Sequence, residues 1–180
     1  MSVHRTRPLS AAVIVFAFTL CGCANTLAAP TLTPAGAVRV PAAAVPTDAK
    51  FDPRSNSDVV WLDFTASPEL FANDDALILS QTFFCDTPRD DRTLNNTQSP
   101  MFGDTSIRHG FPRRKARAAW ANGPNAHVRP VYSVYVYVDN LSRGTKPICL
   151  NLTLDESYTP FRPTTNTLTF SAEEIAAALR

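Results

Sequence analysis

The sequence predicts an α+β fold: mainly antiparallel β-sheet, or a β-sandwich-like domain, with a short basic helix and a C-terminal helix. Three observations carry this. The runs Val131-Tyr-Ser-Val-Tyr-Val-Tyr-Val138 and Ile148-Cys-Leu-Asn-Leu-Thr-Leu154 alternate at period two and are rich in β-branched and aromatic residues. Val59-Val-Trp-Leu-Asp-Phe64 repeats that pattern. Phe111–Pro124 and Ser171–Leu179 instead carry helix start and stop signals.

Taken in order, Val60, Leu62 and Phe64 share one face of the first strand and leave Trp61 and Asp63 on the other. Ser67-Pro68-Glu69 has the form of an N-cap with proline at the first helical position, predicting one or two turns through Phe71. Asn73-Asp74-Asp75 ends it. Ala76 to Cys85 alternates as a second strand, with a helix up to Ser80 as the other reading. Residues 86–110 contain Pro88, Asp90-Asp91, Asn95-Asn96, Pro100, Gly103 and Gly110. They are expected to form a long polar connection of the kind that carries partner contacts.

In Phe111–Pro124, Pro112 opens a helix and Asn122-Gly123-Pro124 closes it, with Ala116 and Trp120 on one face. Val131–Val138 and Ile148–Leu154 are expected to pair as a hairpin at the centre of the sheet, turning through Asp139–Gly144. Val134, Val136 and Val138 would then share a core face with Ile148, Leu150, Leu152 and Leu154. Tyr135 and Tyr137 would share the other with Cys149, Asn151 and Thr153. Thr167–Phe170 adds a short strand, and Ser171-Ala-Glu-Glu174 is a capping box opening a last helix with Ile175 and Leu179 on its packing face.

The N-terminal region reads differently. His4, Arg5 and Arg7 precede a ten-residue apolar run, Ala11 to Leu20, followed by Leu20-Cys21-Gly22-Cys23. A charged leader, an apolar run too short to span a bilayer and a small residue before the cut make an export signal. The four residues resemble the lipobox of bacterial lipoproteins. That resemblance implies cleavage after Gly22 and lipidation of Cys23, whereas Cys21 follows the bulky Leu20. The alternative, a secretory signal cut near Ala28 or Ala29, would place Pro30 at the scissile bond.

Three segments follow: residues 1–22 as signal peptide, 23–57 as a lipidated Cys with a proline- and alanine-rich flexible tether, and 58–180 as one folded periplasmic domain. Pro30, Pro34, Pro41, Pro46 and Pro53 punctuate the tether, which has few large apolar groups to bury. Ala24 after Cys23, where lipoproteins retained in the inner membrane tend to have Asp, implies the outer membrane, facing the periplasm.

Removing Arg5 and Arg7 with the leader takes 17 Lys+Arg to 15, against 16 Asp+Glu, so the mature chain carries a formal −1. No global charge attracts nucleic acid or an anionic membrane surface. In an oxidising compartment, Cys85 and Cys149, left over once Cys21 is removed and Cys23 modified, are expected to form a disulfide. They lack the CxxC spacing of a redox or zinc site.

Catalysis finds little support. His109 and His127 are the only mature histidines, and no His-Glu-x-x-His, Gly-x-Ser-x-Gly or phosphate-loop motif is present. The acidic pairs Asp74-Asp75, Asp90-Asp91 and Asp155-Glu156 are read as solvated turn residues. No catalytic residue, metal ligand or cofactor is expected. The uneven feature is charge placement. Between Asp104 and Asp139 there is no acid, yet Arg108, Arg113, Arg114, Lys115, Arg117 and Arg129 all fall there. Arg108, Arg113, Arg114, Lys115 and Arg117 are the candidate contacts for an anionic partner: an envelope protein, a glycan or a lipid headgroup. The expected function is a lipid-anchored, non-catalytic binding or assembly protein of the cell envelope. A periplasmic inhibitor or immunity protein is the alternative, and a small envelope hydrolase the third.

Overall fold

The computed structural model describes residues 29–44, 57–72, 76–86, 93–108, 110–141, 146–155 and 162–180. The leader with Cys23, tether residues 24–28 and 45–56, the acidic pairs Asp74-Asp75 and Asp90-Asp91, Glu156 and His109 lie outside them.

Two antiparallel sheets face each other across one core. The first has strand order β1-β2-β7-β5-β6 and the second β4-β3-β8-β9. The strands are β1 Thr31–Val40, β2 Val59–Ser67, β3 Leu77–Phe84, β4 Thr93–Gln98, β5 Met101–Phe102, β6 Thr105–Ser106, β7 Tyr132–Tyr137, β8 Ile148–Asp155 and β9 Leu168–Phe170. Helices α1 (Phe111–Ala121), α2 (Val138–Leu141) and α3 (Ala172–Ala178) complete the framework with 3-10 turns at Ala42–Ala44 and Leu70–Ala72.

The predicted alternation holds where one face of a strand must be dry. Val60, Leu62, Phe64 and Ala66 of β2, with Tyr132, Val134 and Val136 of β7, meet Ile78, Ile148, Leu150 and Leu152 of the opposite sheet. Burying side chains of this size stabilises by roughly 1.5–3 kcal/mol each, which makes this layer the main driving force for folding.

Three expectations are corrected. Part of the predicted tether is a strand: Thr31–Val40 pairs with β2 along its length, from Thr31 opposite Ser67 to Val40 opposite Val59. Proline is tolerated because β1 is an edge strand, and the register shift between Pro34 and Gly36 absorbs the irregularity. Of its side chains only Leu32 is buried, so its composition carries little β signal. Asn166 secures the free edge, its Oδ1 accepting from the Leu32 amide at 2.6 Å and its Nδ2 donating to the Leu32 carbonyl at 3.1 Å.

Second, the expected hairpin does not exist. β7 lies in one sheet, between β2 and β5, and β8 in the other, between β3 and β9. Their apolar faces still share the core, but across it rather than side by side. The connection through α2 is long for a hairpin and sufficient to cross the ~10 Å between packed sheets. Tyr135 and Tyr137 therefore lie on the outer face of one sheet, and Cys149, Asn151 and Thr153 on that of the other.

Third, the segment read as a long polar connection supplies β4, β5 and β6. The predicted helical turn after Ser67 is a 3-10 turn at Leu70–Ala72, with Leu70 and Phe71 buried.

The C-terminal helix forms as expected. The Ser171 side chain accepts from the Glu174 amide at 3.1 Å, and the Glu174 carboxylate from the Ser171 amide at 2.7 Å. Ile175 is fully buried. Ser171→Ala is expected to lose about 1 kcal/mol in urea unfolding, the usual worth of a helix cap.

Candidate functional site

The basic helix closes one end of the sandwich. Gly110 precedes it with φ of 64°, a left-handed backbone that suits glycine. No side chain caps the helix, and Pro112 occupies its first turn, where a missing amide costs nothing. Positions 113, 116 and 120 face inward at helical spacing, which brings Arg113, Ala116 and Trp120 towards the core.

Arg113 is a correction to the expected contact set. It is 0% exposed. Its Nε donates to the Ile107 carbonyl at 3.1 Å, and Nη2 donates to the carbonyls of Ala76, at 2.6 Å, and Arg108. These carbonyls lie where strands begin and end, beyond regular ladder pairing. A planar guanidinium with five donors can satisfy several at once. Arg113 therefore fixes α1 to the start of β3 and the end of β6.

The other candidates are exposed: Arg108, Arg114, Lys115 and Arg117, joined by Arg129 of the following loop. Among the described residues the ion pairs are Arg39–Asp58, Lys146–Asp86 and Arg162–Asp155, so none of these five cations is neutralised by an ion pair there. The outward face of α1 carries cations and alanines with no acid.

Beside it lies an open, largely apolar cleft of about 240 Å³, lined by Phe102, Trp120, Val128, Arg129, Pro130 and Val131. Trp120 Nε1 donates to the Val128 carbonyl at 3.2 Å, which fixes one wall. Aromatic contacts support the floor: Phe71 meets Phe102 edge-on at 5.2 Å, Trp120 at 5.9 Å and Tyr132 at 5.4 Å between ring centroids. The Leu70 amide donates to the Tyr132 hydroxyl at 3.1 Å. Burial pushes that hydroxyl well above the usual phenol range, so it stays protonated. Val128 is 51% and Val131 43% exposed, and Phe111 at the helix start is 71% exposed. Sequence reasoning missed the cleft because Phe102 sits in a segment read as loop and Val128 has no periodic neighbours.

Other candidates do not join this site. Cys85 and Cys149 are disulfide-bonded, with Cα atoms 5.0 Å apart. The bridge links the end of β3 to β8. His127 is exposed in the loop after α1. Among the described residues no group of three His, Cys, Asp or Glu could hold a metal ion, and no helix is long and apolar enough to cross a membrane. Asn151, in a glycosylation sequon, is 1% exposed and presents no acceptor. In the aromatic row on the first sheet's outer face, Tyr135 and Val59 are buried against Trp61, Tyr137 and Val40, which are themselves half-buried.

Next to that row, Ser133 Oγ donates to Asp63 Oδ1 at 2.6 Å. Burial nevertheless raises the Asp63 carboxyl above its ordinary 3.8, the bond from Ser133 opposing it. A carboxyl with a higher pKa folded than unfolded favours the fold at low pH and loses that contribution as pH rises through the folded value. Asp63→Asn keeps an acceptor for Ser133 and removes the buried charge. Its stability relative to the wild type is expected to increase as pH climbs out of the acid range and then level off, as followed by urea unfolding across pH.

No family model, no curated protein and no solved structure matches this chain.

Proposed function

We propose that this is a lipid-anchored, non-catalytic binding protein of the bacterial cell envelope, held by Cys23 in the outer membrane and facing the periplasm. Its working surface is the capped end of the sandwich, where it takes an anionic partner. One observation carries this: Arg108, Arg114, Lys115, Arg117 and Arg129 are unneutralised by ion pairs among the described residues, and Arg129 lines an open apolar cleft walled on another side by Trp120 of the same helix that carries Arg114, Lys115 and Arg117. Exposed cations that outnumber the described acids at their end and form no ion pair with them create a local positive field. Apolar surface beside it adds the non-directional part of the attraction. The lipobox-like Leu20-Cys21-Gly22-Cys23 supplies the envelope address.

The test is crosslinking in intact envelopes with the wild type and an Arg114→Glu/Lys115→Glu/Arg117→Glu variant. The variant is expected to lose most of the material the wild type captures while unfolding at the same urea concentration. An unchanged catch would overturn the assignment of the surface. Intact mass showing an unmodified N-terminus beyond Cys23 would overturn the anchor.

A further inference from the structure

We infer that the anionic partner of the capped end is the lipid surface itself, so that the domain lies with α1 against the headgroups of the membrane that anchors it. This rests on the proposed lipidation of Cys23 and on the cationic end being the working surface. It goes further by fixing which way the domain faces.

Strand register supplies the orientation. Because β1 begins at Thr31, only residues 24–30 separate it from Cys23. At no more than ~3.6 Å per residue, that length confines Thr31 to within roughly 30 Å of the lipidated residue. Thr31 is paired with Ser67, at the end of β2, and Phe64 with Tyr132, at the start of β7. The anchored chain thus enters the sheet at the end where β7 emerges from the loop after α1. Two strand spacings, about 10 Å, separate β1 from β7 laterally. The end that the short link holds near the membrane is the end that α1 closes. A tether running to residue 57 would have let either end of the domain approach the membrane equally, whereas the pairing of β1 keeps this end within reach and leaves charge to decide whether it docks.

Charge and apolar exposure match the same occupant. The outward residues of α1 include Arg114, Lys115 and Arg117. Phe111 at its start and Val128 beyond its end are large apolar side chains left in solvent. Cations near an anionic headgroup layer add attraction one by one, and flanking apolar groups enter the boundary. Two described acids at this end oppose the five cations: Glu69 and Asp104. Asp155 is taken by Arg162 at 3.3 Å.

The experiment reconstitutes the lipidated full-length protein in vesicles containing brominated lipid, made of phosphatidylcholine alone or with phosphatidylglycerol. Trp61→Phe leaves Trp120 as the sole tryptophan reporter, since the chain has two. Trp120 emission is expected to be largely lost in the anionic vesicles and retained in the neutral ones. It should recover at roughly 1 M salt, where the Debye length is ~3 Å. It should also recover with Arg114→Glu/Lys115→Glu/Arg117→Glu. Salt reversal in the unmutated face keeps the test independent of how that variant folds. Equal quenching in both vesicles, or none in either, overturns the inference. If the inference fails while the triple variant still loses its envelope catch, an anionic protein or glycan is the partner. If the catch is also unchanged, both readings fall.

Discussion

Replacing Arg113 with methionine is expected to destabilise the protein by about 3 kcal/mol or more, a large part of the 5–15 kcal/mol typical of a domain. Methionine keeps most of the apolar stem but removes the guanidinium that donates to the carbonyls of Ile107, Ala76 and Arg108, of which that of Arg108 still accepts from the Ile78 amide at 3.2 Å. A carbonyl stripped of its partner away from water costs roughly 1–3 kcal/mol. Urea unfolding should show a midpoint lower by roughly 1–3 M with little change in slope. Arg113→Lys should restore only part of the loss, because one ammonium cannot reproduce the fork geometry. Arg114→Met, one position along and exposed, should stay within about 0.5 kcal/mol of the wild type. Equal effects at 113 and 114 would contradict the clamp.

Removing the bridge by Cys85→Ala/Cys149→Ala is expected to cost about 4 kcal/mol on the chain-entropy model for cysteines 64 positions apart. The loop it closes contains β4, β5, β6, α1, β7 and α2, elements of both sheets. Its loss therefore releases the unfolded chain over a segment that reaches into both sheets and includes the cationic cap. A midpoint roughly 10–20 °C lower in thermal unfolding would express this. A reducing agent should bring the wild type to the same value and leave the double variant unmoved. If reduction shifts neither, the bridge does not form in solution.

Arg113, the cysteine pair and the proposed site differ in how much of their role the residues alone reveal. The partners Cys85 and Cys149 followed from compartment logic and elimination, and the structure joins them. The role of Arg113 did not, because a run of cations reads alike whether its members face water or the interior. Helical spacing with Ala116 and Trp120 was the available signal, since residues three and seven apart lie near one face. An arginine at such a position would ordinarily be assigned to solvent. The cleft was equally hidden, since its walls come from Phe102, Trp120 and the 128–131 loop, brought together by contacts with Phe71 and Tyr132 rather than by proximity along the chain.

By itself the sequence determined the fold class, the strand at 59–64, the apolar faces of β7 and β8, the limits of α1, the capping box of α3 and the cysteine pair, while Ala76–Cys85 read as a strand with a helix up to Ser80 left open. All of these depend on local periodicity, punctuation or composition. Only the tertiary structure decided that β7 and β8 face each other across the core instead of pairing, because an apolar face is buried equally well by a neighbour or by an opposing layer. It likewise decided that 31–40 is a strand, because an edge strand gains its stability from the ladder with β2 and from Asn166 rather than from its own side chains. That pairing also sets the cationic cap at the end where the N-terminal chain enters, a relation between residues a hundred positions apart that no local pattern encodes.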